Sequence, residues 1–313
     1  MKKVLLFCGS FFADYDQVIR ELIDRNKFSF DVLDIKGKRL NHDERLYLLK
    51  EIESSQFDCV VVKCVRDLSL VNELKKLDLN IGTVYFNHRY SYLVNKYQNY
   101  HSTPEMIEDR NSSSCDTFFQ ELLELSILGD YYLNEDSITE GLDRFIEWIC
   151  GEITLTKIET NMKKSILYNQ CDIGRTSCVL TNEQYEELSR GINRPIIDSE
   201  KNRLIKEHII NYLCNQFNVE TINEKFINRM IDPSFNIHAE VDAILNCDNF
   251  ITKKIAFVTK KPCYSCFKYM HQSNVKEIYY IYDYKDPITD ILFETNEFKA
   301  SLFSGCINCL DRG

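Results

Sequence analysis

The sequence predicts an α/β protein of two units. Three observations carry this. Apolar strand-like runs alternate with amphipathic helix-like segments as far as Cys150, a second alternating series begins near Thr154, and 313 residues suit two domains at roughly 100–200 residues each. The expected division is 1–152 and 153–313. Hydrophobic residues make up 44% of the chain and aromatics 12%, enough for a sizeable core and too much for a disordered chain.

The elements follow in order. Lys3–Cys8 is an apolar run that reads as a buried first strand, stopped by Asp14 and Asp16. Tyr15–Arg25 places Val18, Ile19, Leu22 and Ile23 on one helical face. Phe30–Ile35 reads as a strand, Glu44–Ser54 as a helix, and Phe57–Val65 as a Val-rich buried strand. Leu68–Leu77 is helical and Ile81–Phe86 is a strand. Such alternation implies a mainly parallel sheet with helices on both faces. Polar residues dominate from Asn87 to Ser114, where a loop or lid is expected. Asp116–Ser126 reads as a helix, Asp130–Asn134 as a strand, and Thr139–Cys150 as a closing helix. In the second unit, Lys157–Gln170 is a helix, Ser177–Thr181 a strand, and Gln184–Arg190 its continuation, broken at Gly191. Arg203–Phe217 is a helix inside an insertion that ends near Ile237. His238–Asn246, Lys254–Thr259, Cys263–Gln272 and Val275–Tyr282 then read as helix, strand, helix and strand.

Net charge is −10 and the sequence pI is about 5.2, which speaks against nonspecific nucleic-acid binding and favours a nucleotide over a long polymer. No apolar run of about 18 residues suggests a membrane span. The 13 cysteines are scattered rather than set in a dense framework, so reduced thiols, metal ligands and a cytoplasmic location are expected.

One constellation carries chemistry. His238-Ala239-Glu240 is followed, 21 residues on, by Pro262-Cys263-Tyr264-Ser265-Cys266. One imidazole and two thiolates are preferred zinc ligands, and three protein ligands leave a fourth tetrahedral position open, as in catalytic sites. Zinc there makes a nucleophile of water at neutral pH. Both ligand groups are expected at helix starts, where the positive helix end favours thiolates. Glu240, two residues beyond His238, is expected to carry protons rather than to bind metal. A lone His or a lone C-x-x-C would more often be core packing or a structural clip. Together, in this order, they form the H-x-E…P-C-x-x-C pattern of zinc deaminases.

Residues from about 155 to 300 resemble the deoxycytidylate deaminases of the wider cytidine deaminase superfamily. Met162-Lys163 to Gln170-Cys171, Arg175 and Cys178-Val179-Leu180-Thr181 look like that family's first helix and strand. Gly191-Ile192-Asn193-Arg194-Pro195 is similar to its G-x-N-G-x-P segment, and His238 to Leu245 to its H-A-E-x-N-A-I helix. Glu277 to Tyr284 resembles its fourth strand and aromatic tail. The resemblance implies a cytidine deaminase-like α/β/α domain and hydrolytic attack at C4 of a cytosine deoxynucleotide, dCMP or dCTP. It implies that Asn193 binds the sugar or base edge, although Gly-x-Asn is also ordinary turn composition. Asp242 stands where the family has Asn. Arg194 stands where it has Gly, and would bring a positive charge near a phosphate. A homo-oligomer is also implied.

In the first unit, Asp109-Arg110, Asp116 to Phe119 and Gly129 to Ser137 look like the later part of nucleoside monophosphate kinase-type P-loop domains. After the first strand, however, Gly9-Ser10-Phe11-Phe12-Ala13-Asp14-Tyr15 lacks the second Gly and the Lys of a phosphate-cradling loop. The unit therefore resembles a degenerate P-loop fold, and the layout is similar to antiphage deoxycytidine nucleotide deaminases. That resemblance admits a nucleotide effector or a regulatory RNA. The alternatives are a deaminase acting on nucleic acid or another amine, or a sensor with the deaminase as gated output.

Cys306-Ile307-Asn308-Cys309 is a further C-x-x-C. In some deoxycytidylate deaminases a cysteine at the place of Cys171 binds a second zinc. Cys171, Cys306 and Cys309 are thus candidates for a structural metal, with Cys178, His208 or Cys214 as fourth ligand; free thiols or a redox pair are the competing readings. In the aromatic tract Tyr279–Tyr284, sheet packing is expected, with one or two rings lining the pocket.

Overall fold

A computed structural model describes residues 2–9, 13–25, 29–77, 79–89, 124–134, 138–169, 176–196, 199–220, 236–248, 252–284, 286–295 and 298–310. The protein is mixed α/β, with two main sheets. The first unit runs β1 (Lys3–Gly9), α1 (Tyr15–Asp24), β2 (Phe30–Asp34), α2 (His42–Ser54), β3 (Cys59–Val65), α3 (Leu68–Leu74), β4 (Asn80–Asn87), β5 (Tyr131–Asn134) and α4 (Ile138–Cys150). Its strands pair in parallel in the order β5-β4-β1-β3-β2. Strand alternation explains why both faces are covered. On β1, Val4, Leu6 and Cys8 pack with Leu48 and Ile52 of α2 and Leu70, Val71 and Leu74 of α3. Leu5 and Phe7 face the other way, among Val18 and Leu22 of α1 and Phe145 and Trp148 of α4.

The second unit contains α5 (Lys157–Tyr168), β6 (Ser177–Thr181), β7 (Glu187–Ile192), β8 (Arg194–Pro195), α6 (Ser199–Phe217), β9 (Asn236–Ile237), α7 (Ala239–Leu245), β10 (Lys254–Lys260), α8 (Tyr264–Gln272), β11 (Val275–Tyr282), α9 (Pro287–Thr295), β12 (Lys299–Leu302) and β13 (Gly305–Cys306). Its sheet has the order β12-β11-β10-β6-β7, parallel across β10, β11 and β12 and antiparallel across β10, β6 and β7. One face carries α7, α8 and α9 through Ala239, Ala243, Phe267, Met270 and Phe293. On the other face Val179, Ile255, Phe257, Tyr279 and Ile281 join Met162 of α5 and the core of the first sheet. The aromatic tract is divided accordingly: Tyr279 stacks on Phe257, with centroids 5.3 Å apart, and Tyr280 lies in the core of the opposite face.

The units are knitted together by residues 299–310. The strand β13 leaves the second unit and pairs antiparallel with β5, Gly305 opposite Tyr132 and Cys306 opposite Tyr131. The amides of Ile307 and Asn308 donate to the carbonyl of Asp130, Trp148 Nε1 donates to the carbonyl of Asn308 at 2.8 Å, and Asn87 Nδ2 donates to that of Phe303 at 2.6 Å. Glu159 of α5 closes the junction. Its carboxylate caps Thr156, accepts from Arg144 Nε at 2.8 Å and accepts from the Cys306 amide at 2.8 Å.

The expected elements among the described residues appear with end shifts of up to four residues, most of them one or two. One expectation is corrected. Gly191 does not break the strand but lies inside β7. A Cβ there would stand 2.2 Å from the Ala239 carbonyl oxygen and 2.2 Å from the Ala243 nitrogen, so the glycine lets α7 lie directly on the strand. The elements α9, β12 and β13 were outside the sequence reading. Ser10 to Phe12 and most of the polar stretch after Asn87 lie outside the described residues. So does most of the expected Asp116–Ser126 helix, of which residues 124–127 form one helical turn.

Candidate active site and metal centre

The three expected ligands meet at two helix starts. His238 is the N-cap of α7 and Cys263 the N-cap of α8, and Cys266 lies in the first turn of α8. Neither N-cap side chain bonds its own helix, which frees both for a ligand. The position follows from the strands. β10 ends at Lys260 and Pro262 turns the chain into α8, while β9 delivers His238 to α7.

Cys263 Sγ lies 3.6 Å from His238 Nδ1 and 3.6 Å from Cys266 Sγ, and Cys266 Sγ lies 3.2 Å from His238 Nδ1. A tetrahedral zinc with Zn–S about 2.3 Å and Zn–N about 2.05 Å needs S···S near 3.8 Å and S···N near 3.5 Å. The residues fit the ion. Among the described residues this is the one group of three or more His, Cys, Asp and Glu side chains with metal-binding spacing. The thiols already differ in acidity. Cys263 is held down to about 4, first by the hydrogen bond from Cys266 and then, against its burial, by that with His238. Cys266 is pushed up because it keeps the shared proton and is buried. His238 is raised by its hydrogen bond to Cys263.

Glu240 is 3% exposed beside this triangle. Burial pushes its carboxyl up to about 7, against the lowering effect of its own backbone N–H and of a hydrogen bond from Cys266. Two further side chains belong to the site, Tyr284 from the aromatic tract expected to line the pocket and Lys260, which was not among the expected residues. Lys260 Nζ lies 4.9 Å from the Tyr284 ring centroid, and both residues feel the charges of Glu240 and Cys263. The doubled lysine before Pro262 was the available signal. Its second member, Lys261, is buried and ion-paired with Asp283 at 2.5 Å and Asp290 at 3.0 Å, holding α9 against the end of β10.

The remaining expected residues are placed as follows. Asn193 Oδ1 accepts from the Ala239 amide at 2.8 Å, next to His238. Arg194 Nε donates to Asp242 Oδ1 at 2.6 Å. Cys306 is buried and Cys309 exposed, and the two thiols are neighbours across β13 and the turn after it. Cys171 lies outside the described residues, Cys178 is buried in the core of α7 and α8, and Cys214 lies on α6.

Residues 153–282 match the family described as the cytidine and deoxycytidylate deaminase zinc-binding region. Over 62 residues the chain is 42% identical to ComE operon protein 2 of Bacillus subtilis (strain 168), a match covering 18% of this chain and 33% of that protein. The chain thus spans about a third of the length of the curated relative it matches. Among solved structures it is similar to the dCMP deaminase of cyanophage S-TIM5. The apo form has a TM-score of 0.33 at 19% identity, over 48% of this chain and all of that one. The complex with dCMP and dUMP has a TM-score of 0.31 at 17% identity, over 45% and 93%. In the deaminase zinc-binding domain the cofactor is zinc, and the His238, Cys263 and Cys266 triangle is the group that fits it. No described helix is long and apolar enough to cross a membrane.

Proposed function

We propose that the protein hydrolytically deaminates the C4 amino group of a cytosine deoxynucleotide, dCMP or dCTP, giving the uracil nucleotide and ammonia. The observation that carries this reading is the convergence of His238 Nδ1, Cys263 Sγ and Cys266 Sγ beside the buried carboxyl of Glu240. His238, Cys263 and Cys266 would hold a zinc ion, which would supply Lewis acidity to make water a competent nucleophile at neutral pH. Glu240 takes the proton of the attacking water on its carboxylate and delivers it to N3 of the ring. A second proton passes through the same carboxyl to the departing amino group, which leaves as ammonia. Burial of Glu240 keeps bulk water from competing for these protons. Asn193, fixed to the α7 N-terminus, is assigned to the sugar or base edge, and Arg194 to a phosphate. Lys260, over the Tyr284 ring, places a cation within electrostatic reach of Glu240.

We assign 1–152 to control rather than to a second reaction, and 153–313 to catalysis. The layout favours depletion of the deoxycytidine nucleotide pool in antiphage defence, in the cytoplasm and as a homo-oligomer. The deciding experiment incubates zinc-loaded protein with dCMP, dCTP and their adenine counterparts. Mass spectrometry is expected to show the amino group replaced by oxygen in a cytosine nucleotide. Turnover of no cytosine nucleotide overturns the reading.

A further inference from the structure

Two oppositely charged side chains touch one another beside the catalytic helix. Asp242 and Arg194 are the two residues in question. They lie 48 residues apart in the chain and are joined by Arg194 Nε to Asp242 Oδ1 at 2.6 Å. The Asp242 carboxylate is 6% exposed, whereas the Arg194 side chain is 47% exposed. The other carboxylate oxygen accepts from the Ile192 amide at 3.2 Å. Asp242 therefore grips both sides of Asn193.

The surrounding bonds fix this grip relative to the catalytic helix. The Asp242 amide donates to the His238 carbonyl, so the carboxylate rises from the turn of α7 that carries His238 and Glu240. Asn193 Oδ1 takes the Ala239 amide. In the β8–β9 ladder Arg194 stands opposite Ile237, the residue before His238. On the far side, Ser189 Oγ donates to the Ala243 carbonyl at 2.7 Å. The strand end and the helix are thus stitched at four places, and Asp242 is the only charged stitch among them. A guanidinium bound through Nε to a buried carboxylate is fixed in orientation, yet its two terminal nitrogens keep their donors for a second anion in a planar fork.

We propose that Asp242 is a positioning residue that aims the terminal nitrogens of Arg194 at the phosphate of the substrate, making the pair a determinant of nucleotide over nucleoside. This rests on the deaminase reading above.

The test compares kcat/KM for deoxycytidine monophosphate and for deoxycytidine in the zinc-loaded wild type, Asp242→Asn, Arg194→Gly and the double variant. A charge-assisted hydrogen bond to phosphate predicts that the nucleotide-to-nucleoside ratio falls at least about tenfold in each single variant, mainly through KM, with no further fall in the double. An equal fall for both compounds, or multiplying effects in the double variant, overturns the proposal. Should Asp242→Asn fail to fold, Arg194→Gln at its half-exposed position carries the same expectation. A second arm needs no turnover. Calorimetric binding of the same two compounds to Glu240→Gln protein, with and without Arg194→Gln, is expected to lose affinity for the monophosphate alone. Loss for neither compound overturns the pair's role. Absence of turnover by the wild type, with this binding difference intact, overturns the deaminase reading and leaves the phosphate site standing.

Discussion

Glu240 and His238 are separated by one alanine, and that spacing decides their division of labour. His238 sits before the helix, its side chain turned to the two thiols, while Glu240 sits in the first turn and is buried beside them. Glu240→Gln keeps the shape and removes the proton carrier. Turnover is expected to fall by about 10²–10⁴-fold with bound zinc unchanged, measured by steady-state kinetics beside metal analysis. Loss of zinc in this variant would place Glu240 among the ligands instead. At this scale the sequence was most informative. His238, Cys263 and Cys266 announce themselves because metal geometry tolerates few spacings. Lys260 does not, because a doubled lysine is common on surfaces and its role comes from the strand that places it. The Asp242–Arg194 contact was equally invisible: each residue was noted by itself, but they lie 48 residues apart in the chain and only the fold joins them.

The strand β7 and the helix α7 form the element pair on which the site depends. Their closeness is set at Gly191, where any side chain would collide with the α7 backbone. Overpacking of this kind costs about 1–3 kcal/mol, and here the obstacle is backbone rather than a movable side chain. Gly191→Ala is therefore expected to lower the unfolding free energy by about 3 kcal/mol and to reduce zinc occupancy, read by denaturant unfolding and metal analysis. Unchanged occupancy would show that α7 can move aside without disturbing His238. Strands and helices at this scale were legible from apolar periodicity. Gly191 was misread as a breaker because sequence shows a missing side chain, not the helix that requires it to be missing. The segments α9 and β12 were missed because the strand β12 is short and partly exposed, with little alternation to detect.

Across the whole molecule, the two units meet at Glu159. Burial works to raise its carboxyl, but Arg144 and the amides of Cys306 and Thr156 outweigh that and hold it below its ordinary 4.5. A carboxyl depressed in the folded state stabilises fully above its unfolded value, and that contribution is lost as pH falls through the folded one. Glu159→Gln is expected to lower stability at pH 7 by about 2 kcal/mol, because Arg144 is left part-buried without its partner, and to flatten the acid side of the stability profile below pH 4.5. Thermal unfolding across pH 3–7 measures both, and a parallel acid limb in the variant would assign acid sensitivity elsewhere. The alternation of elements was legible, but not the stitching of the two sheets, because pairing between distant strands leaves no local pattern. That stitching also bears on how the chain is made. Ser304 and Tyr132, joined across the β5 edge, are 172 residues apart. A ribosome has released the whole of the first unit long before it supplies β13. The edge of β5 therefore stays open through most of synthesis, and the first sheet is completed only after the second sheet has been translated.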